Sequence, residues 1–177
     1  MQSTLYVVAL GRFGASGAAI VARPSERGVV VRVGGSASDD LRLAGCTGGA
    51  ELLCDGSQWT ARTPRGVRRV RDGETFSFGA WTVVLMVGDE PAAAPDDPPR
   101  FERAGGAALV VTGAGPLLVG AAGCCELRSS ALGVPVACAV RTDASGATWL
   151  YPVHAVTARR NGARVRGPVR LADGDEL

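Results

Sequence analysis

The chain has 177 residues, rich in Ala (28), Gly (25) and Arg (19, with no Lys), and a formal net charge of +2. Its 46% hydrophobic content is enough for a core and too high for disorder. The near-neutral total supplies no general affinity for a nucleic-acid backbone, which needs a concentrated basic face, and no apolar run approaches the roughly 20 residues of a membrane-spanning helix.

The candidate strands, in chain order, are Leu5–Leu10, Ala18–Ala22, Val29–Val33, Asp40–Leu43, Ala50–Cys54, Gln58–Arg62, Val67–Val70, Thr75–Phe78 and Trp81–Val87. They are short, alternating or apolar, and separated by Gly, Pro, Asp and Ser, the pattern of a sandwich or barrel. Gly79-Ala80 reads as a tight hairpin turn. Residues 89–104, with four prolines and several carboxylates in Asp89–Arg100, read as an extended linker. A second β-rich block follows: Ala108–Thr112, Leu117–Val119, Cys125–Ser129, Val134–Arg141, Thr148–Val153 and Arg164–Leu171. No segment carries sustained helical periodicity with caps. The expected domains are therefore 1–88 and 105–177.

The cysteines, Cys46, Cys54, Cys124, Cys125 and Cys138, are odd in number and lack CxxC spacing. Adjacent Cys124 and Cys125 would point to opposite faces of a strand. The only imidazole is His154. Reduced structural thiols are expected, with no metal site and no cofactor. The N-terminus has no basic start, and Arg12 breaks its first apolar run, so it does not read as a signal peptide. A cytoplasmic location is expected.

The two halves read as divergent copies. Val31-Arg-Val-Gly-Gly-Ser-Ala-Ser-Asp-Asp-Leu-Arg-Leu43 matches Leu117-Leu-Val-Gly-Ala-Ala-Gly-Cys-Cys-Glu-Leu-Arg-Ser129: strand, glycine turn, short loop, acidic residue, strand. Asp72-Gly73-Glu74 matches Asp173-Gly174-Asp175, each a turn in which Asp caps and Gly takes positive φ.

This order of motifs resembles the forkhead-associated (FHA) family over residues 4–88 and about 105–177, with Arg160–Leu177 the closest segment. The resemblance implies an all-β fold of tandem FHA-like β-sandwiches joined by the Pro-rich linker. Family members that read phosphothreonine hold the phosphate with an Arg after the first glycine and with a Ser-x-x-His segment, through charge-assisted hydrogen bonds. Here the Arg position is Gly35 in one half and Ala121 in the other. The Ser-x-x-His region falls at Thr47–Ala50 and Ser129–Leu132, with no His. The peptide-gripping Asn falls near Val156, and Asn161-Gly162 reads as a later hairpin turn. A phosphate pocket is therefore not expected in either half. FHA-like domains without that pocket are similar to the cytoplasmic modules of bacterial type III and type VII secretion machines, which dock proteins.

The expected function is thus a non-enzymatic scaffold, with no catalytic residues and with other proteins of a membrane-associated assembly as partners. No nucleic acid and no membrane insertion by this segment are expected, and a homo-oligomer is allowed. The partner contacts expected are Gly34, Gly35, Ser36, Arg65 and Arg68 in the first half and Ala121, Ala122 and Gly123 in the second. The first half continues past Asp72-Gly-Glu74 with a closing hairpin, whereas the second reaches only Leu177. This reads either as the N-terminal part of a longer, inner-membrane-tethered protein or as a sheet completed by a partner strand.

Four rival readings stand beside it: a phosphothreonine adaptor, a dinucleotide site on Tyr6–Gly14, nucleic-acid contact through Arg62, Arg65, Arg68, Arg69 and Arg71, and hydrolytic catalysis. The dinucleotide reading lacks the first glycine of the fingerprint (Ala9) and further βαβ units. Asp72 and Glu74 adjoin the arginines, whose spacing suits a charged sheet edge. A hydrolase would have only His154 as its imidazole base.

Overall fold

The computed structural model describes residues 3–11, 18–89, 100–102, 108–110, 115–128, 134–153 and 158–177. Among them the chain is all-β, with eighteen strands and no helix. It divides into two compact units, Gln2–Gly88 and Asp89–Leu177.

In the first unit, β1 (Ser3–Gly11) pairs antiparallel with β2 (Ala18–Pro24) from Thr4↔Pro24 to Leu10↔Ala18. A parallel βαβ unit would need a helix where β2 runs, so this geometry is not the one the dinucleotide reading requires. β8 (Glu74–Phe78) and β9 (Trp81–Asp89) form the expected hairpin, closing with Phe78↔Trp81, and complete a sheet of order β2-β1-β9-β8. The second sheet comprises β3 (Val30–Gly34), β4 (Leu41–Arg42), β5 (Gly49–Cys54), β6 (Trp59–Thr63) and β7 (Gly66–Arg69), in the order β4-β3-β5-β6-β7.

The two sheets share one core. Leu5, Val7, Phe76, Val83 and Leu85 come from one sheet, and Val31, Val33, Leu52, Trp59 and Ala61 from the other. Alternation explains this: successive side chains in a strand point to opposite faces. Within β5, Leu52 is 1% exposed and its neighbour Leu53 is 43% exposed. The Trp59 indole N–H is satisfied by Ser25 Oγ at 2.7 Å, which removes the cost of burying that donor.

The second unit holds β10 (Arg100–Glu102), β11 (Ala108–Val110), β12 (Leu117–Gly120), β13 (Leu127–Arg128), β14 (Cys138–Thr142), β15 (Thr148–Pro152), β16 (Arg159–Arg160), β17 (Ala163–Arg164) and β18 (Val169–Arg170). Its main sheet, β13-β12-β14-β15-β18, repeats the order of the first unit's five-stranded sheet position for position. The opening pair is parallel in both, Val33↔Leu41 and Val119↔Leu127. Asp40 accepts the N–H of Arg32 at 2.8 Å, and Glu126 accepts that of Leu118 at 2.7 Å. Asp55 and Asp143 each gather the backbone N–H and the hydroxyl of the serine two residues on.

Several sequence expectations shift. Of the expected strand Asp40–Leu43 only Leu41–Arg42 pair as β4, and the Asp40 carboxylate accepts the N–H of Arg32. Cys124 and Cys125 sit in the turn before β13, not on opposite faces of a strand. The expected strand Val134–Arg141 begins only at Cys138, because the Val134 and Pro135 carbonyls accept the Ala121 and Ala122 N–H groups of the β12–β13 connection and Pro135 has no N–H for a ladder. Gly167-Pro168 divides Arg164–Leu171 into β17 and β18. Arg100–Glu102, assigned to the linker, is β10, and Arg159–Arg160 is a strand the sequence reading did not anticipate. The proline-rich residues 90–99 lie outside the described residues, as do Ser129–Leu132, His154 and Val156.

The Asp-Gly turns differ from expectation in one respect: the capping carboxylate is the residue after glycine. Glu74 Oε2 accepts the N–H of Arg71 at 3.0 Å, and Asp175 Oδ2 accepts that of Ala172 at 2.6 Å. Gly73 and Gly174 take the positive φ, 73° and 78°. Asp72 Oδ1 instead accepts the N–H of Val87 at 2.8 Å, tying the turn to β9. In the second unit the β16–β17 hairpin turns on Asn161-Gly162, both at positive φ (51° and 77°), the signature of a two-residue hairpin. Asn161 and Arg160 both donate to Asp175, at 2.7 Å each.

Two outcomes follow. Leu52→Ala should cost about 2–5 kcal/mol in urea unfolding, whereas Leu53→Ala should cost well under that, since only the former opens a core cavity. The Ala172 N–H, then Arg160 and Asn161, hold the Asp175 carboxyl below the usual carboxylate range. A depressed folded pKa stabilises at pH above the unfolded value and is lost as pH falls through the folded one. Thermal melts should therefore show Asp175→Asn less stable than wild type at neutral pH, with the gap closing in acid. A gap independent of pH would contradict this.

Candidate functional site

Three loops meet at one end of the first unit's five-stranded sheet: the β3–β4 connection, the approach to β5, and the β6–β7 turn. They enclose a groove of about 440 Å³. Its walls include Gly34, Gly35 and Ser36 on one side, Thr47-Gly48-Gly49 on another, and Thr63-Pro64 on the third. Arg32, Glu51 and Arg62 form its floor on the outer sheet face.

The groove depends on bare backbone. Gly34 pairs with Gly49 across β3 and β5. A Cβ on Gly49 would lie 2.4 Å from the carbonyl oxygen of Val33, and one on Gly35 would lie 1.9 Å from that of Cys46. Neither glycine is at positive φ, so these residues are required for space and not for a turn conformation, which corrects the reading of Gly34-Gly35 as a glycine turn. The turn itself is Ser36–Asp39, closed by the Asp39 carboxylate on the Ser36 N–H at 2.7 Å. Cys46 Sγ donates to the Gly48 carbonyl at 2.8 Å, pinning the opposite wall.

The charges in the groove are largely spent on one another. Glu51 lies between Arg32 and Arg62, 3.4 Å from each. These pairs are solvent-exposed and contribute little to stability, but they neutralise the floor.

Of the residues expected to meet partners, Gly34, Gly35 and Ser36 line this groove; Gly34 is buried, Gly35 half-buried and Ser36 exposed. Arg65 is exposed at the β6–β7 turn, beside the groove wall. Arg68 is engaged elsewhere: it pairs with Glu74 at 2.8 Å and lies 4.6 Å above the Phe76 ring. Ala121, Ala122 and Gly123 follow β12 in the second unit. The N–H groups of Ala121 and Ala122 donate to Val134 and Pro135. Gly120 occupies the place of Gly34, and a Cβ there would lie 2.2 Å from the Pro135 carbonyl oxygen.

Sequence reasoning missed Arg32, Glu51 and Arg62 as one ladder, and Thr63-Pro64 as a wall. Their register, Arg32↔Glu51 and Glu51↔Arg62, is set by strand pairing between distant segments. The two glycine pairs, Gly34-Gly35 and Gly48-Gly49, were the available signal for close backbone approach.

All five cysteines are free thiols. Burial pushes the Cys138 thiol up to about 12. Burial, and then the neighbouring Cys124, push Cys125 to about 11. Both stay protonated and weakly nucleophilic at neutral pH. Among the described residues no group of three or more His, Cys, Asp or Glu could hold a metal ion, and no helix is long and apolar enough to cross a membrane. Comparison of the chain with protein-family models, with curated proteins and with solved structures finds no match.

Gly35→Ala should destabilise the first unit by about 1–3 kcal/mol, because the added methyl displaces the Cys46 backbone. Gly35→Arg should be at least as damaging. A Gly35→Arg protein of wild-type stability in chemical denaturation would refute the close approach.

Proposed function

We propose that the chain is a non-enzymatic protein-docking module built of two FHA-like β-sandwiches, and that it binds its partner through the loop groove of the first unit without reading phosphate. The shared strand order of the two five-stranded sheets, with equivalent carboxylates at Asp40 and Glu126, supports the reading as tandem copies. The single observation that carries the phosphate-independent reading is Gly35. It stands where the family places its phosphate-holding Arg, and its surroundings exclude even a Cβ. The arginines in the groove floor are shared with Glu51, so a phosphate dianion would have to displace an existing partner. By resemblance to pocketless FHA-like modules, the setting proposed is the cytoplasmic side of a bacterial secretion assembly, a warrant of analogy.

The test has two arms. Matched peptide libraries carrying threonine or phosphothreonine should be retained equally by the immobilised protein. Micromolar binding abolished by phosphatase would overturn the reading. A photo-crosslinking residue at Ser36, in the groove, should capture a defined partner in the source cell. The same residue at Gln58, on the loop at the other end of the sheet, should not. Equal capture at both positions would remove the groove from the docking site.

A further inference from the structure

The geometry points to a second contact surface on the first unit: the free edge of β7, which accepts an extended acidic segment as an added strand. This inference rests on the docking role above and names a partner chemistry for it.

β7 closes its sheet on one side, and all four of its residues are exposed. The Val70 N–H donates to the Trp59 carbonyl at 2.8 Å, so Trp59 and Val70 form a hydrogen-bonded pair. Stepping by two, Ala61↔Arg68 and Thr63↔Gly66 are the next such pairs. The N–H and C=O groups of Val67 and Arg69 therefore face away from β6, along the free edge. Val67 is 65% exposed.

Charge selects what can pair there. Arg62, Arg65, Arg68, Arg69 and Arg71 lie within ten residues that contain no carboxylate. Arg62 shares Glu51, and Arg68 pairs with Glu74. Arg65, Arg69 and Arg71 have no ion-pair partner among the described residues. A second copy of this edge would set arginine against arginine, and like charges directly opposite are destabilising. The same charge that opposes self-pairing favours a strand bearing carboxylates. Val67 and Arg69 share one face by alternation, and Arg65 lies on the turn before them, so the fitting segment has an apolar residue with Asp or Glu two positions away. The large aromatic side chains beneath, Trp59 and Phe76, are buried and offer no stacking platform for bases.

The probe, the Glu-Val peptide, is fluorescein-labelled Glu-Thr-Val-Thr-Glu, whose valine is flanked two positions away by glutamate; it is tested on the full chain beside a Lys-Val peptide with lysine in place of glutamate, and beside oligo(U). The Glu-Val peptide should bind, weaken as salt rises, and slow amide exchange at Val67 and Arg69 but not at Ala61. Val67→Pro removes an outward N–H and spares the internal ladder. It should weaken the peptide by about tenfold, the worth of one or two hydrogen bonds, with an unchanged melting temperature. Should that variant fail to fold, Arg69→Glu, at an exposed position, should give a comparable loss. No Glu-Val binding, binding indifferent to both variants, or stronger binding of oligo(U) would each overturn the proposal. Groove crosslinking at Ser36 does not involve β7. Failure here with Ser36 capture intact sinks only the strand addition; loss of Ser36 capture with Glu-Val binding intact sinks only the groove.

Discussion

A parallel partner strand that follows its neighbour almost at once is the constraint on which the loop end of this protein depends. Parallel strands are ordinarily joined by crossovers of about a dozen residues or more. Here Leu41 pairs with Val33, and Leu127 with Val119, only eight positions along the chain in each unit. So short a return starts from Gly34 and Gly120, where a Cβ would crowd the residues leading into the next strand of the sheet, Gly48–Gly49 and Pro135–Val136. It also leaves a strand N–H without a ladder partner, and Asp40 and Glu126 supply the acceptor.

The groove is a consequence of that bend. Once the β3–β4 connection folds tightly against the residues before β5, the Thr47–Gly49 backbone becomes a wall, and the β6–β7 turn supplies the third side. Its floor is a cross-strand row in which one carboxylate serves two guanidinium groups. Such a floor leaves no vacant cationic pair for a dianion. The β7 edge is different: there arginines outnumber carboxylates, and the exposed groups are backbone donors and acceptors.

The two units use the same devices with different side chains. Asp39 and Cys125, at corresponding places, donate their N–H groups to the Ser36 and Ala122 carbonyls; Asp39 adds its carboxylate on the Ser36 N–H, whereas Cys125 turns its Sγ to the Pro135 carbonyl. The β6–β7 turn of the first unit is two residues, Pro64-Arg65. Between β15 and β18 the second unit instead carries the β16–β17 hairpin, whose tip is fastened to Asp175 and Glu176.

The sequence by itself determined the all-β class, most strand positions, the Gly79-Ala80 and Asn161-Gly162 hairpins, and the correspondence of residues 31–43 with 117–129. These are local: period-two alternation and turn chemistry act over a few residues. The tertiary structure decided the rest. Only strand register could place Glu51 between Arg32 and Arg62, show that Gly34, Gly35 and Gly49 are glycine for want of space, and give the capping role to Glu74 and Asp175. It alone could show that Arg68 is occupied by Glu74 and Phe76 while Arg65, Arg69 and Arg71 stand along a free edge. Each of these depends on segments brought together across the sheet, and linear spacing carries no record of which strand lies beside which.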